Sequence, residues 1–258
     1  MAVQPWRTGK VIRIVQETPA TRRYWIQVPE LERFDFIPGQ FVTLDLPIHE
    51  KPNKRWRSYS IASWPDGTNV FELVIVLLEG GAGTTYIFNE VKEGHEFTFR
   101  GPQGVFTLPE NIDRDLFFIC TGTGVAPFRS MVHHILHHNL PHKSIYLIFG
   151  CRKFGDCLYG SELRELEQQV PSFRYIPTFS RETPDSSNHL FRTGYVHAVY
   201  EEILRNSPET DGQEPEKIAQ LKPAWFYLCG WKAMIDEAKK RIQDLGYDRK
   251  AIHQELYG

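Results

Sequence analysis

Residues 115–136 read DLFFICTGTGVAPFRSMVHHIL, an apolar, strand-prone run that breaks at a glycine turn and continues with helical spacing. Strand, glycine turn and helix in direct succession form the opening of a βαβ unit. The alternation recurs downstream. IYLIFG (145–150) precedes SELRELEQQ (161–169), FRYIPTFS (173–180) precedes VHAVYEEILRN (196–206), and WFYLCG (225–230) precedes KAMIDEAKKRIQDLG (232–246). Such alternation implies a doubly wound α/β parallel sheet with right-handed crossovers. Lys239, Lys240 and Arg241 lie towards the negative end of the last helix, and Gly246 is placed to cap it. Residues 205–223 are polar and proline-bearing, the pattern of a surface excursion.

Upstream of this stretch the texture changes. VIRIV (11–15), RYWIQV (23–28), QFVTLDL (40–46), WRSYSIAS (56–63), NVFELVIVLL (69–78) and EFTFRG (96–101) are short β-branched and aromatic runs. Pro38-Gly39, Pro65-Asp66-Gly67 and Glu93-Gly94 punctuate them. Short strands with turns between them predict an antiparallel β-barrel or sandwich, with one short helix near Thr84 to Asn89. The change of pattern falls at Asn111 to Arg114, so two domains are expected, a barrel over 1–110 and an α/β domain over 111–258.

Composition narrows the function. Over 258 residues, 30 Lys+Arg against 32 Asp+Glu leave a net charge of −2, which argues against a nucleic-acid partner. Hydrophobic residues at 41% and charged residues at 24% exclude the disordered class. Apolar runs such as Leu73 to Leu78 fall well short of the roughly 18 residues of a membrane span. MAVQPWRTGKV lacks the apolar core of a secretory signal, so a cytoplasmic protein is expected. The four cysteines, Cys120, Cys151, Cys157 and Cys229, match neither a disulfide framework nor zinc or iron–sulfur spacing. Redox chemistry would then come from a bound cofactor other than an internal iron–sulfur cluster. His133, His134, His137 and His138 share helix faces, but no acidic or cysteine partner lies nearby, and a solvated helix surface accounts for them. No metal is assigned.

In an open parallel sheet, ligands sit at the carboxyl ends of the strands. There, Thr121-Gly122-Thr123-Gly124-Val125-Ala126-Pro127 lets backbone approach an anion at a helix start, with Pro127 in the first turn. A proline stands where the usual Rossmann fingerprint has its third glycine, so this is a different phosphate loop, and a tight turn with no ligand has the same pattern. In the barrel, Arg57-Ser58-Tyr59-Ser60-Ile61-Ala62-Ser63 puts Arg57 and Tyr59 on one face and Ser58 and Ser60 on the other. A guanidinium that clamps phosphate beside a ring that stacks on a planar heterocycle suits a flavin nucleotide; a plain exposed strand is the alternative. Gly80-Gly81-Ala82-Gly83-Thr84-Thr85 could supply a second phosphate cradle or a simple hairpin turn.

Taken in order, R-S-Y-S-I-A-S, G-G-x-x-T, G-P-x-G-x-F (101–106), G-T-G-V-A-P, C-G-x-K-x-M (229–234) and Glu255-Leu256-Tyr257 resemble the ferredoxin–NADP reductase family, in the style of its plant-type branch. The resemblance runs from about Pro38 to the C-terminus. It implies an FAD-binding barrel and an NADP-binding α/β domain. By position, Arg57 would hold the flavin pyrophosphate with Gly83, Thr84 and Thr85, Tyr59 would pack on the isoalloxazine, and Ser58 and Ser60 would flank it, Ser60 near flavin N5. Gly122, Thr123, Gly124 and Pro127 would form the NAD(P) pyrophosphate turn. Cys229, with Gly230, would shape the hydride path beside the nicotinamide. Glu255 would relay a proton, and Tyr257 would stack on the flavin, although Gly258 follows it where the family pattern ends in the aromatic residue.

Ser180-Arg181-Glu182 matches the family's reader of the 2′-phosphate, so NADPH is expected, with NADH possible. The Lys and Tyr that plant-type members carry shortly downstream are missing here, and Arg152 and Arg192 are the candidates to stand in. The implied activity is electron transfer between NADP(H) and a one-electron carrier, ferredoxin or flavodoxin, by hydride exchange at flavin N5. The basic run Lys51, Lys54, Arg55 and Arg57 could steer an acidic carrier or be a solvated loop. Two other readings fit the same motifs: an NADH-dependent reductase component of an oxygenase system, and an electron-transfer subunit without nicotinamide turnover.

Overall fold

The computed structural model describes residues 4–183, 192–205 and 221–257, excluding the side chain of Tyr257. The chain forms two compact units, one of Met1–Pro109 with Ala126–Leu140, the other of Glu110–Val125 with Pro141–Gly258.

The first unit contains β1 (Trp6–Thr18), β2 (Thr21–Gln27), β3 (Phe41–Asp45), β4 (Trp56–Ser60), β5 (Val70–Val76), α1 (Ala82–Glu90) and β6 (Glu96–Gln103). The strands are antiparallel in the order β4-β3-β6-β1-β2-β5, and an Ile61–Leu73 bridge joins the two edges. A closed barrel removes both free edges, the costly part of an antiparallel sheet. Val11, Tyr24, Ile26, Val42, Leu44, Phe71, Leu73, Phe97 and Phe99 fill it. β5 buries its outward face as well, including Glu72 at 2% exposure.

The helix α2 (Val125–His137) explains that burial, because residues 126–140, all but the first of its residues and the three that follow it, group with the barrel. Arg129, itself 4% exposed, donates to Glu72 Oε2 (3.1 Å) and to the Ala62 carbonyl (2.8 Å). Arg23 of β2 donates to Glu72 Oε1 at 2.6 Å. One buried carboxylate thus lies between two guanidiniums, the condition under which a charge can be kept from water. Trp64 lies flat on His133, with centroids 3.9 Å apart and planes at 14°, and stacks on His137 as well. His133 is therefore buried packing, whereas a solvated surface was expected for all four histidines; His137 and His138 are exposed. Among the described residues no group of His, Cys, Asp and Glu is placed to hold a metal ion.

The second unit contains β7 (Asp115–Thr121), β8 (Ile145–Cys151), α3 (Gly160–Gln169), β9 (Phe173–Phe179), β10 (Arg192–Thr193), α4 (Val196–Arg205), β11 (Ala224–Trp231), α5 (Lys232–Asp244) and β12 (Ile252–Tyr257). All six strands run parallel in the order β10-β9-β8-β7-β11-β12. β7 is the switch point, since the chain winds from it first to β8 on one side and later to β11 on the other. β7 and β8 are almost wholly buried, as strands covered on both faces must be. The short β10 and the closing β12 are additions to the elements predicted. Of the surface excursion expected over 205–223, residues 206–220 lie outside the described residues. No helix among the described residues is long and apolar enough to cross a membrane.

Candidate functional site

In the barrel unit the two segments expected to hold the flavin pyrophosphate meet. β4 carries Arg57, and a Cβ added to Gly83 would lie 3.0 Å from Arg57 Cγ and 3.1 Å from its Nε. The first turn of α1 therefore rests against the guanidinium stem, and a side chain at position 83 would press on it. Gly81 occupies the N-cap without a capping side chain, and the first intrahelical bond of α1 runs from Thr85 N–H to the Gly81 carbonyl. The amides of Ala82, Gly83 and Thr84 thus precede the helical ladder, as the first donors of any helix do. Thr84 is otherwise engaged: its hydroxyl accepts from Leu78 N–H (3.0 Å) and donates towards the Gly81 carbonyl (3.2 Å). Arg57 Nη1 donates to the carbonyls of Trp56 (2.8 Å) and Lys54 (3.1 Å), which orients the guanidinium. A cation fixed beside a helix start fits a pyrophosphate.

Tyr59, two residues on, is half-buried against the barrel core, and burial pushes its phenol well above the ordinary tyrosine range despite the nearby Arg57 charge. Ser58 is exposed and shares a hydrogen bond with Thr43 Oγ1 (3.0 Å). Ser60 is buried at the end of β4, where the chain stops pairing with β3 and bridges to β5. Of the basic run, Arg55 is tied to Asp45 and only Lys51 and Lys54 are exposed, on a 3-10 turn over Pro52–Lys54.

In the α/β unit the residues singled out line the carboxyl ends of adjacent strands. Gly122–Gly124 form a 3-10 turn directly after β7. A Cβ on Gly124 would lie 2.3 Å from the Cys229 carbonyl oxygen, and one on Gly230 would lie 2.4 Å from Thr121 Oγ1. The two glycine motifs are required by each other, because each lets the other's backbone close in. Gly122 has φ +54° and open space where a Cβ would stand. Thr121 Oγ1 is buried without a hydrogen-bond partner among the described residues. A glycine with open space at its Cβ next to an orphaned hydroxyl fits an anionic ligand. Pro127 is buried in the first turn of α2.

To one side of this turn, the ends of β8 and β9 are laced together. Ser180 N–H donates to the Cys151 carbonyl (3.0 Å) and Arg181 N–H to the Arg152 carbonyl (2.9 Å), while Ser180 Oγ also leans on Cys151 O (3.4 Å). Arg152 and Arg181 are thereby neighbours, both exposed. Arg152 Nε lies 3.4 Å from Asp156, and the Arg181 guanidinium has no partner among the described residues. Arg192, the other stand-in, is held bidentately by Glu202 at 2.7 and 2.9 Å. On the other side, Cys229 is wholly buried in β11, in register with Cys120 of β7 and Glu255 of β12. Tyr257 is in register with Trp231, but its side chain, like Gly258, lies outside the described residues. Sequence reasoning gave Thr121 no role of its own within the loop, although a polar β-branched residue between an apolar strand and a glycine was its signal.

Two family models match the chain, an oxidoreductase FAD-binding domain over residues 8–108 and an oxidoreductase NAD-binding domain over 118–240. Ferredoxin–NADP reductase B of Sorangium cellulosum is 31% identical over 250 residues, covering 96% of this chain and 96% of that protein. The chain belongs to the ferredoxin–NADP reductase family. Like other members of that family it is an oxidoreductase, with an FAD-binding barrel followed by a NAD-binding α/β domain. The solved ferredoxin–NADP reductase of Neisseria gonorrhoeae shares the fold, with a TM-score of 0.76 at 24% identity over 97% of this chain and 98% of that one. The electron transfer component of a 2-halobenzoate 1,2-dioxygenase from Burkholderia cepacia is 31% identical, over 90% of this chain and 62% of that longer protein.

Proposed function

We propose that this family member passes electrons between NADP(H) and a one-electron carrier protein, ferredoxin or flavodoxin, with hydride exchanged at flavin N5. The observation that carries the NADP(H) reading is the Arg181 guanidinium, free of partners among the described residues, at the end of β9. Neighbouring strands lie about 4.8 Å apart, so β9 ends roughly 10 Å from the turn after β7. That spacing suits the adenosine half of a dinucleotide whose pyrophosphate lies at Gly122–Gly124, with Arg152 and Arg181 meeting the 2′-phosphate. The nicotinamide half would then lie over β11 and β12.

FAD, when bound, supplies the chemistry that takes up two electrons together and releases them singly. The chain's own residues hold and orient. Arg57 and the first amides of α1 neutralise the flavin pyrophosphate, Tyr59 packs on the ring system, and Ser60 presents a hydroxyl near N5. Cys229 fills the space beside the nicotinamide, and the Glu255 carboxylate, adjacent in register, relays a proton. Lys51 and Lys54 give an acidic carrier a basic edge to approach. The four cysteines, none of them in a disulfide, accord with a cytoplasmic, reducing compartment.

A second reading, an NADH-dependent reductase component of an oxygenase system, is favoured by the likeness to the dioxygenase electron transfer component. Purified protein should be yellow, bleach faster with NADPH than with NADH, and reduce ferredoxin or flavodoxin in turnover. A preparation that stays colourless after incubation with FAD would overturn both readings, and preferential bleaching by NADH would favour the second.

A further inference from the structure

Glu182 closes the Ser180-Arg181-Glu182 run, yet a carboxylate is a poor neighbour for a phosphate. In the structure it is half-buried, and its Oε1 accepts the Phe154 N–H at 3.0 Å. That bond reaches from the segment after β9 to RKFGD (152–156), the segment after β8, where Phe154 opens a 3-10 turn over Phe154–Asp156. The same two segments are joined by Ser180 N–H to the Cys151 carbonyl and Arg181 N–H to the Arg152 carbonyl. Within the turn, Arg152 Nε lies 3.4 Å from Asp156. The Phe154 ring rests on the buried Phe179 of β9, with centroids 4.4 Å apart and planes at 44°, while 48% of Phe154 stays open to solvent. A single exposed apolar side chain needs no explanation by itself. This one is held from its backbone and its ring together, two residues past Arg152, on a partner two residues before Arg181.

We propose that Phe154 is the platform on which the adenine of the nicotinamide dinucleotide stacks, and that Glu182 is a positioning residue that holds the platform in place. The inference deepens the nucleotide reading above and rests on the pyrophosphate lying at Gly122–Gly124. β8 stands between β7 and β9 in the sheet, so an adenosine running from the turn after β7 to the end of β9 passes over the segment that follows β8. Adenine presents flat π faces that an aromatic ring covers at little entropic cost, because the ring is already fixed. Tyr195, 72% exposed just beyond β10, is on the far side of β9 from the pyrophosphate turn and is not the platform.

The two recognitions separate cleanly. A guanidinium reads the 2′-phosphate, which only NADP(H) carries, whereas adenine is common to both dinucleotides. Phe154 therefore sets affinity for either nucleotide, and Arg181 sets the preference between them.

The test titrates the FAD-loaded full chain, by calorimetry, with NADP+, NAD+ and ADP-ribose, the last having adenine and pyrophosphate but neither nicotinamide nor 2′-phosphate. F154A and F154L should bind all three about tenfold more weakly, the weight of one base–aromatic stack, while F154Y and F154W stay within about twofold of wild type. Leucine keeps an apolar contact with Phe179, so the loss in F154L separates stacking from packing. E182A should weaken all three about threefold, and E182Q, which keeps an acceptor oxygen for the Phe154 N–H, should return to wild type. Reduced nicotinamide mononucleotide, which lacks the adenosine, should bleach the flavin of F154A and wild type at the same rate, and Y195A should bind like wild type. The platform is overturned by wild type that does not bind ADP-ribose, by unmoved affinities in F154A, by a loss confined to NADP+, by wild-type binding in F154L, by slower bleaching of F154A with the mononucleotide, or by the loss appearing in Y195A. E182Q as weak as E182A overturns the positioning role. If Arg181→Ala leaves the NADPH-to-NADH ratio unchanged while F154A weakens all three ligands, the phosphate reading fails alone and the platform stands.

Discussion

Arg181 and Arg192 stand at the two ends of one connection and differ in what holds them. Arg192 is clamped by Glu202, and that bond holds the Glu202 carboxyl below its usual range. Arg181 has no such partner among the described residues. Arg181→Ala should therefore raise KM for NADPH about ten- to hundredfold, the equivalent of about 1.5–3 kcal/mol, and leave NADH kinetics in place. Parallel steady-state assays with the two nucleotides check it, and an unchanged ratio would show that the phosphate is read elsewhere. At this scale the sequence names the residue type but not its company. S-R-E marked Arg181, whereas nothing in the linear text paired Arg192 with a glutamate ten positions on. Thr84 shows the converse: its motif was legible, but the turning of its hydroxyl onto its own loop was not.

Two elements cross at Gly124, where the turn after β7 passes the Cys229 carbonyl of β11. Gly124→Ala would set a methyl 2.3 Å from that oxygen, so turn and strand must separate. Weaker NADP+ binding by titration together with a lower Tm is expected; an alanine variant matching wild type in both would remove the crossing as a requirement. In the barrel unit, Glu72→Ala strands Arg129 in a site where it is 4% exposed, and a loss of about 3–5 kcal/mol in denaturant unfolding should follow. Glu72→Gln should lose less, because one acceptor survives. The strands and helices themselves were legible because their apolar periods are strong. NVFELVIVLL declared a strand but hid the reason for its buried acid, which comes from Arg129, 57 residues along the chain. β12 escaped because IHQELY sets three consecutive polar residues between its apolar ones and so has no strand period, and only pairing with β11 makes it a strand.

For the molecule as a whole, burial lowers the pKa of His134, His197 and His253 below the ordinary histidine value. A histidine depressed in the folded state binds its proton more readily when unfolded, so the stability it contributes is present above about pH 6.5 and drains away as pH falls through the lower folded value. Thermal unfolding from pH 8 to 5 should show a plateau followed by a decline starting near pH 6.5, well before the carboxylates paired with arginine, such as Glu202, begin to protonate. A flat Tm down to pH 5 would contradict it. Two textures in one chain made the pair of folds readable, since period-two runs and alternating strand and helix patterns demand different sheets. The grouping of residues 126–140 with the barrel had no such signal, because a helix shows its apolar stripe without showing what will cover it. The indole of Trp64, pressed on His133, gives that attachment an optical signature. Subtracting the emission of a Trp64→Phe protein from that of wild type would follow the separation of α2 from the barrel as a single fluorophore, distinct from the other five tryptophans.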